Sequence, residues 1–156
     1  MTDRISDRIA ELGITLPEAA APVAAYVPTL EVGNLLFISG QISFNPDGSR
    51  ITGRLGEDMD TAAGKAAAER CGLMLIAQMK RALGSLDRVE RIVKLGAFVA
   101  STPAFTEQPQ VANGASELME KVFGEAGRHT RAAVGVPVLP LGAAVEIDAI
   151  VAVKAG

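Results

Sequence analysis

Apolar and polar positions change period several times along the chain, and the changes divide it into elements. Residues 2–12 carry Ile5, Ile9 and Leu12 at helical spacing among Asp, Arg and Glu, with Thr2 or Asp3 placed to cap the start and Gly13 to end it. This predicts a short amphipathic helix on the outside of the fold. The following ITLPEAAAPV, with two prolines, reads as an extended connector. Residues 24–30 and 35–42 then have strand character, separated by Glu31-Val32-Gly33-Asn34, whose Gly-Asn pair signals a hairpin. After the turn Asn45-Pro46-Asp47-Gly48, residues 50–54 predict a third short strand. Asp60 or Thr61 can cap a long helix reaching Leu83 and stopping at Gly84. Its packed face would be Ala63, Ala66, Ala67, Leu73, Ile76, Ala77 and Met79, with Glu69, Lys80 and Arg81 solvated. Residues 89–99 alternate as a strand, and 110–123 form a second helix.

The last stretch, RAAVGVPVLPLGAAVEIDAIVAV at 131–153, holds two apolar runs broken by Leu139-Pro140-Leu141-Gly142, which predicts a hairpin. Strand alternation puts Arg131, Ala133 and Gly135 on one face of the first run. In the second, Val145, Ile147, Ala149 and Val151 are packed, leaving Glu146 and Asp148 opposite. Arg131 and Glu146 then share a face lined by small residues, with Glu146 across from Gly135 and roughly 13 Å from Arg131. That is too far for an ion pair. A site using both charges needs a spanning ligand or a second subunit. Strands mixed with two packing helices predict an α+β fold, the helices on one face of a sheet.

At 156 residues, with 49% hydrophobic and 21% charged, the chain fits one domain: helix and connector over 1–22, core over 23–154. No apolar run approaches the roughly 20 residues of a membrane span, and MTDRISDRIAELG has charges where a signal peptide would have an apolar core. A cytoplasmic protein with no membrane partner is expected, and the lone Cys71 agrees with a reducing compartment. The net charge of −3, with one Tyr, five Phe and no Trp, argues against a nucleic-acid partner. Abundant Ala, Gly and Val suggest close packing, including across a subunit interface.

One Cys and one His cannot form a structural zinc site, and no calcium-loop pattern occurs. GxSxG, Walker and GxGxxG motifs are missing from the sequence, and His129, in the charged loop GEAGRHTRA, reads as solvated. Arg131 and Glu146 remain. Each alone reads first as an interface ion pair. An Arg at the start of a small-residue strand nevertheless suits a carboxylate held in a bidentate fork. A Glu between Val145 and Ile147 would be partly desolvated, its pKa raised toward a range useful for proton transfer. Ser39-Gly40-Gln41 closes an apolar strand, and Gly40 there marks either close approach of a ligand or backbone, or a bulge.

The segments AAYVPTLEVGNLLFISGQISFNPDG and RAAVGVPVLPLGAAVEIDAIVAV, with a long helix and a strand between them, resemble the RidA/YjgF family of reactive intermediate deaminases, formerly called L-PSP endoribonucleases. The resemblance spans about 24–154. It implies a chorismate-mutase-like fold of the bacillus type, assembled as a barrel-like homotrimer with clefts between subunits. It also implies hydrolysis of an enamine or imine such as 2-aminoacrylate to a 2-keto acid and ammonia, with a small carboxylate substrate and no metal or organic cofactor. Arg131 matches the family's carboxylate-binding Arg, and Glu146 the Glu that helps activate water. Tyr26, Ser39 and Gly40 match pocket positions, as does Asn113 across a segment about one residue longer. Three features depart from the pattern. The family's Cys two residues after the Arg is Ala133, which leaves only its backbone N–H; Gly-Pro before the Tyr is Ala24-Ala25; and the N-terminal helix is additional. The competing readings are a non-catalytic trimer that binds a keto acid or another small carboxylate, and an endoribonuclease.

Overall fold

The computed structural model describes residues 3–22 and 24–156; Thr2 as a cap and the expected core boundary at residue 23 lie outside them. The first helix, α1 (Arg4–Glu11), is capped by Asp3, whose carboxylate accepts from the Ser6 amide at 3.0 Å. It is fastened to the turn Leu86–Arg88 in both directions. Asp3 accepts from the Leu86 amide at 3.0 Å and from Lys80 at 2.7 Å, while Asp87 accepts from the amides of Arg4 and Ile5 at 2.9 and 3.0 Å. Burial pushes the Asp3 carboxyl upward, but the Lys80, Ser6 and Leu86 donors outweigh it and hold the group well below the usual carboxylate range.

The hairpin β1 (Thr29–Val32) and β2 (Leu35–Ile42) turns at Gly33, φ 61°, with Val32 paired to Leu35. Residues 24–27 are not a strand, and residues 50–54 contribute only isolated bridges, Arg50 to Phe44 and Thr52 to Ala143. Asp60 caps α2 (Thr61–Leu83), and Gly84 ends it, both as the sequence predicts. Its expected faces need correction, since Ala63 and Ala66 are exposed while 71–79 is buried on every side. The N-terminal segment explains this. Ile9 joins the core, and Ile5, Ile14 and Leu16 pack against it, so the side of α2 turned away from the sheet is also covered.

Next come β3 (Val89–Ala100), α3 (Gln108–Phe123), β4 (Thr130–Val136) and β5 (Val145–Val153). The five strands lie in the order β1-β2-β5-β3-β4, with β3 and β4 parallel and the other neighbours antiparallel. Helices α2 and α3 pack on one face, over Leu36, Ile38, Leu95, Ala97, Ile147 and Val151.

The terminal hairpin does not form, because β3 lies between β4 and β5. A 3-10 turn at Pro140–Gly142 carries the chain over the end of β3, where Ala100 N donates to Ala144 O and Ser101 N to Val136 O, both at 2.9 Å. Alternation defines a strand but not its partner, and the β3-α3-β4 crossover makes β4 parallel to β3. The shared face is corrected with it. Arg131 is in register with Leu95 and lies on the helix side, while Glu146 is in register with Phe98 on the other side. Their Cα atoms are two strand spacings and three residues apart, roughly 14 Å.

Candidate functional site

Glu146 stands on β5 between Ile42 and Phe98 of its neighbours, above a bulge in β2. Pairing jumps from Ile38–Ala149 to Gln41–Ile147, so Ser39 and Gly40 together face one residue of β5. The bulge reading of Gly40 holds, and the bulge brings it under the Glu146 side chain. A Cβ at Gly40 would collide with Glu146 Oε2 and stand 2.9 Å from Cδ. The Ser39 hydroxyl donates to Val27 O at 2.8 Å and its amide to Pro28 O at 2.9 Å, which ties the segment bearing Tyr26 to the strand end.

Tyr26, Ser39, Gly40 and Glu146 line one cavity of about 500 Å³, together with Arg50 and Leu141. Leu141 is the one non-glycine residue with positive φ among the described residues, at 61°. Ala20, Ala21 and Pro22 of the connector also line this cavity. They are held there by Gln78, whose Nε2 donates to Ala20 O at 2.8 Å and to Gln41 Oε1 at 3.3 Å; Gln41 in turn donates to Ser39 O at 2.8 Å. No described residue donates to the Glu146 carboxylate. Burial raises its pKa, and the nearby Asp148 raises it further.

Arg131 is part of a second cavity, about 310 Å³, on the helix side of the edge strand β4. Its Nη1 donates to Asn113 Oδ1 at 2.8 Å and to Ser116 Oγ at 3.1 Å, both on α3. His129 is not the solvated loop residue its charged neighbours suggest. It is half-buried, with Nε2 2.8 Å from Ser116 Oγ and Nδ1 2.6 Å from Gly127 O. Ala133, two residues beyond Arg131, packs against the core and lines neither cavity.

The predicted residues therefore divide into Arg131 with Asn113 and Glu146 with Tyr26, Ser39 and Gly40. Ser116, His129, Gln41, Gln78 and Arg50 were missed. Ser116 had a signal, lying three positions after Asn113 and so on the same helix face. Gln78 had one too, as an amide inside an apolar helical run. Among the described residues no three His, Cys, Asp or Glu side chains gather as metal ligands, and no helix is long and apolar enough to cross a membrane.

A strand bearing Arg131, a break at Pro140 and a strand bearing Glu146 lie inside the stretch matched by one family model. That model, described as "YjgF/chorismate mutase-like, putative endoribonuclease", covers residues 6–151. The chain belongs to the YjgF/RidA family. Its α+β architecture, one mixed sheet with helices, is that of YjgF/chorismate-mutase-like structures. Protein TCP17 of Trypanosoma cruzi is 53% identical over 149 residues, covering 95% of this chain and 93% of that protein. The crystal structure of Atu1372 from Agrobacterium tumefaciens is 49% identical with a TM-score of 0.88, over 96% of this chain and 94% of that one. A 2-iminobutanoate/2-iminopropanoate deaminase of Dermatophagoides farinae is 27% identical over 90% of this chain and 95% of its own length. YjgF/RidA relatives thus carry both deaminase and endoribonuclease names.

Proposed function

We propose that the protein hydrolyses small imines or enamines bearing a carboxylate, giving 2-keto acids and ammonia, at sites completed between subunits of a homotrimer. The observation that carries this reading is the division of the site. One cavity offers a guanidinium with free donors, and the other an unpartnered carboxylate that burial makes a better base. Arg131 and Glu146 lie in separate cavities on opposite faces of the sheet, so a site that uses both needs more than one chain. A neighbouring copy would bring the two together, and the sheet face away from the helices exposes Leu30, Val32, Phe37 and Val134 for such a contact. The deaminase name of the D. farinae relative supports the substrate class.

In this reading Arg131 takes the substrate carboxylate in a bidentate fork, which aims the imine carbon at Glu146 of the adjoining copy. Glu146 removes a proton from water as its oxygen attacks the carbon, forming a carbinolamine. Glu146 passes that proton to the imine nitrogen, which completes the carbinolamine; the carboxylate then takes the hydroxyl proton and delivers it to the amine as the C–N bond breaks, leaving the keto group and ammonia. An enamine must first take a proton at its terminal carbon to become the imine. Tyr26 and the Ser39-Gly40 bulge shape the wall against which the substrate rests.

The test is ammonia and keto-acid release from imines generated in place by an amino-acid oxidase, with the assembly read by light scattering. Wild type should accelerate release as a trimer. Arg131→Ala should remain trimeric and lose on the order of 10²-fold in kcat/KM, the scale of two charge-assisted hydrogen bonds. Equal turnover by the variant would remove Arg131 from the site. No acceleration by wild type, with keto-acid binding retained, would leave a binding trimer.

A further inference from the structure

We propose that Ser116 and His129 are positioning residues that set the Arg131 guanidinium for its anion; the inference rests on the carboxylate-anchor reading of Arg131. Gly127 O only accepts, so His129 Nδ1 carries a proton, and in that tautomer Nε2 is the acceptor. The Ser116 hydroxyl therefore donates to Nε2, across 2.8 Å, and turns a lone pair toward Arg131. With its proton committed, Ser116 can act toward Arg131 only as an acceptor, and it receives Nη1 at 3.1 Å.

The direction of this chain matters for what it leaves free. Guanidinium has five N–H donors, two of them on Nη1, and Nη1 is the nitrogen that Asn113 and Ser116 engage. The edge formed by Nε and Nη2 makes no hydrogen bond to any described residue, and that edge is a two-pronged fork matched to a carboxylate. Arg131 arises on an edge strand, so without the α3 acceptors its long side chain would sample many rotamers, and freezing them would weaken binding. His129 acts one step removed: it holds the hydroxyl that holds the arginine.

Two substitutions separate this role from simple anchoring of the 127–130 loop. In His129→Gln the amide oxygen stands the same number of bonds from Cα as Nε2, so the acceptor for Ser116 is kept and the link to Gly127 is lost. In His129→Asn the amide matches Nδ1, so the Gly127 link is kept and the acceptor for Ser116 is lost. The probe is pyruvate or 2-oxobutanoate, titrated by calorimetry against the full-length protein. Ser116→Ala and His129→Asn should each weaken binding about five- to tenfold, non-additively when combined, while His129→Gln stays near wild type. In imine hydrolysis the same variants should raise KM and leave kcat nearly unchanged.

Rescue by Asn rather than Gln, or additive losses, would overturn the relay. Loss of binding in Arg131→Ala with no effect of Ser116→Ala would also overturn it, yet leave Arg131 as the anchor. If wild type binds neither keto acid, the carboxylate reading fails by itself. The relay is then still read by NMR hydrogen exchange of the Arg131 guanidinium, which His129→Asn should speed and His129→Gln should not; the reverse pattern would refute it.

Discussion

Around Arg131, side chains from α3, β4 and the loop between them form a continuous chain of hydrogen bonds from Asn113 to the Gly127 carbonyl. Around Glu146 the local structure is tense instead. The carboxylate lies over a bulge with no donor among the described residues, Leu141 nearby holds a left-handed backbone, and Asp148 adds like charge. The two surroundings suit two tasks. A group that binds a charge works best when it is already aligned, because ordering it on binding would subtract from affinity. A group that must take up a proton works best when its ionised form is poorly solvated, since full satisfaction by donors would make it a weak base. In the proposed reading, the satisfied surroundings belong to the binding group and the unsatisfied ones to the proton-transfer group.

The largest effect should come from breaking this contrast at Glu146. Glu146→Gln keeps the shape and removes the base, so imine hydrolysis should fall by about 10²–10⁴-fold. Keto-acid binding measured by calorimetry should change little, because the proposed anchor, Arg131, lies in the other cavity. A variant that hydrolyses imines at the wild-type rate would take the proton-transfer role away from Glu146.

A smaller loss should follow from moving the carboxylate without removing it. Gly40→Ala places a methyl where Glu146 Oε2 and Cδ lie. The colliding atoms end a flexible side chain, so the fold can yield by turning Glu146 aside. Turnover should drop on the order of 10- to 10²-fold, the consequence of about an ångström of misplacement, with little change in melting temperature. A large drop in melting temperature with full specific activity in the folded fraction would show that Gly40 serves the bulge alone.

How far these features can be read from the sequence depends on the range of the interaction. The Asp60 cap and Gly84 stop of α2, the Gly33 turn and the strand 35–42 depend on nearby residues, and all were legible. The partner of β4 was not. Its alternation fits either β5 or β3, and the choice is made by the α3 crossover and by β3 filling the place beside β5. The error carried over to the site, since a hairpin would have put Arg131 and Glu146 on one face. His129 was misread for the same reason: the ring's hydrogen bonds go not to its charged neighbours in sequence but to Gly127 O and to Ser116, thirteen residues away. The closing of the Glu146 cavity by Ala20–Pro22 was equally hidden, because it depends on Gln78 reaching across 58 positions of chain.

The smallest effect tests whether Glu146 is stressed in the folded state, independently of any reaction. Its pKa in the fold lies above the ordinary value of 4.5, through burial first and the Asp148 charge second. Below the ordinary value both folded and unfolded chains hold the proton, so this group contributes no difference. As pH rises from there through the elevated folded value, the unfolded chain releases its proton more readily than the folded one, and stability falls. Above that window the carboxylate is ionised in both states and its full penalty is present. Glu146→Gln does not titrate and escapes the penalty. Its melting temperature should therefore exceed wild type by about 1–3 °C at pH 8, the scale of a sub-kcal/mol change in a chain of this size, and the advantage should disappear near pH 4. The side chain is half-exposed, which keeps the effect small. An advantage that is constant with pH would reflect packing of the amide rather than relief of the charge. A lower melting temperature at pH 8 would mean that the carboxylate is stabilised by a donor from an adjoining copy, and the contrast between the two cavities would then hold only for the isolated chain.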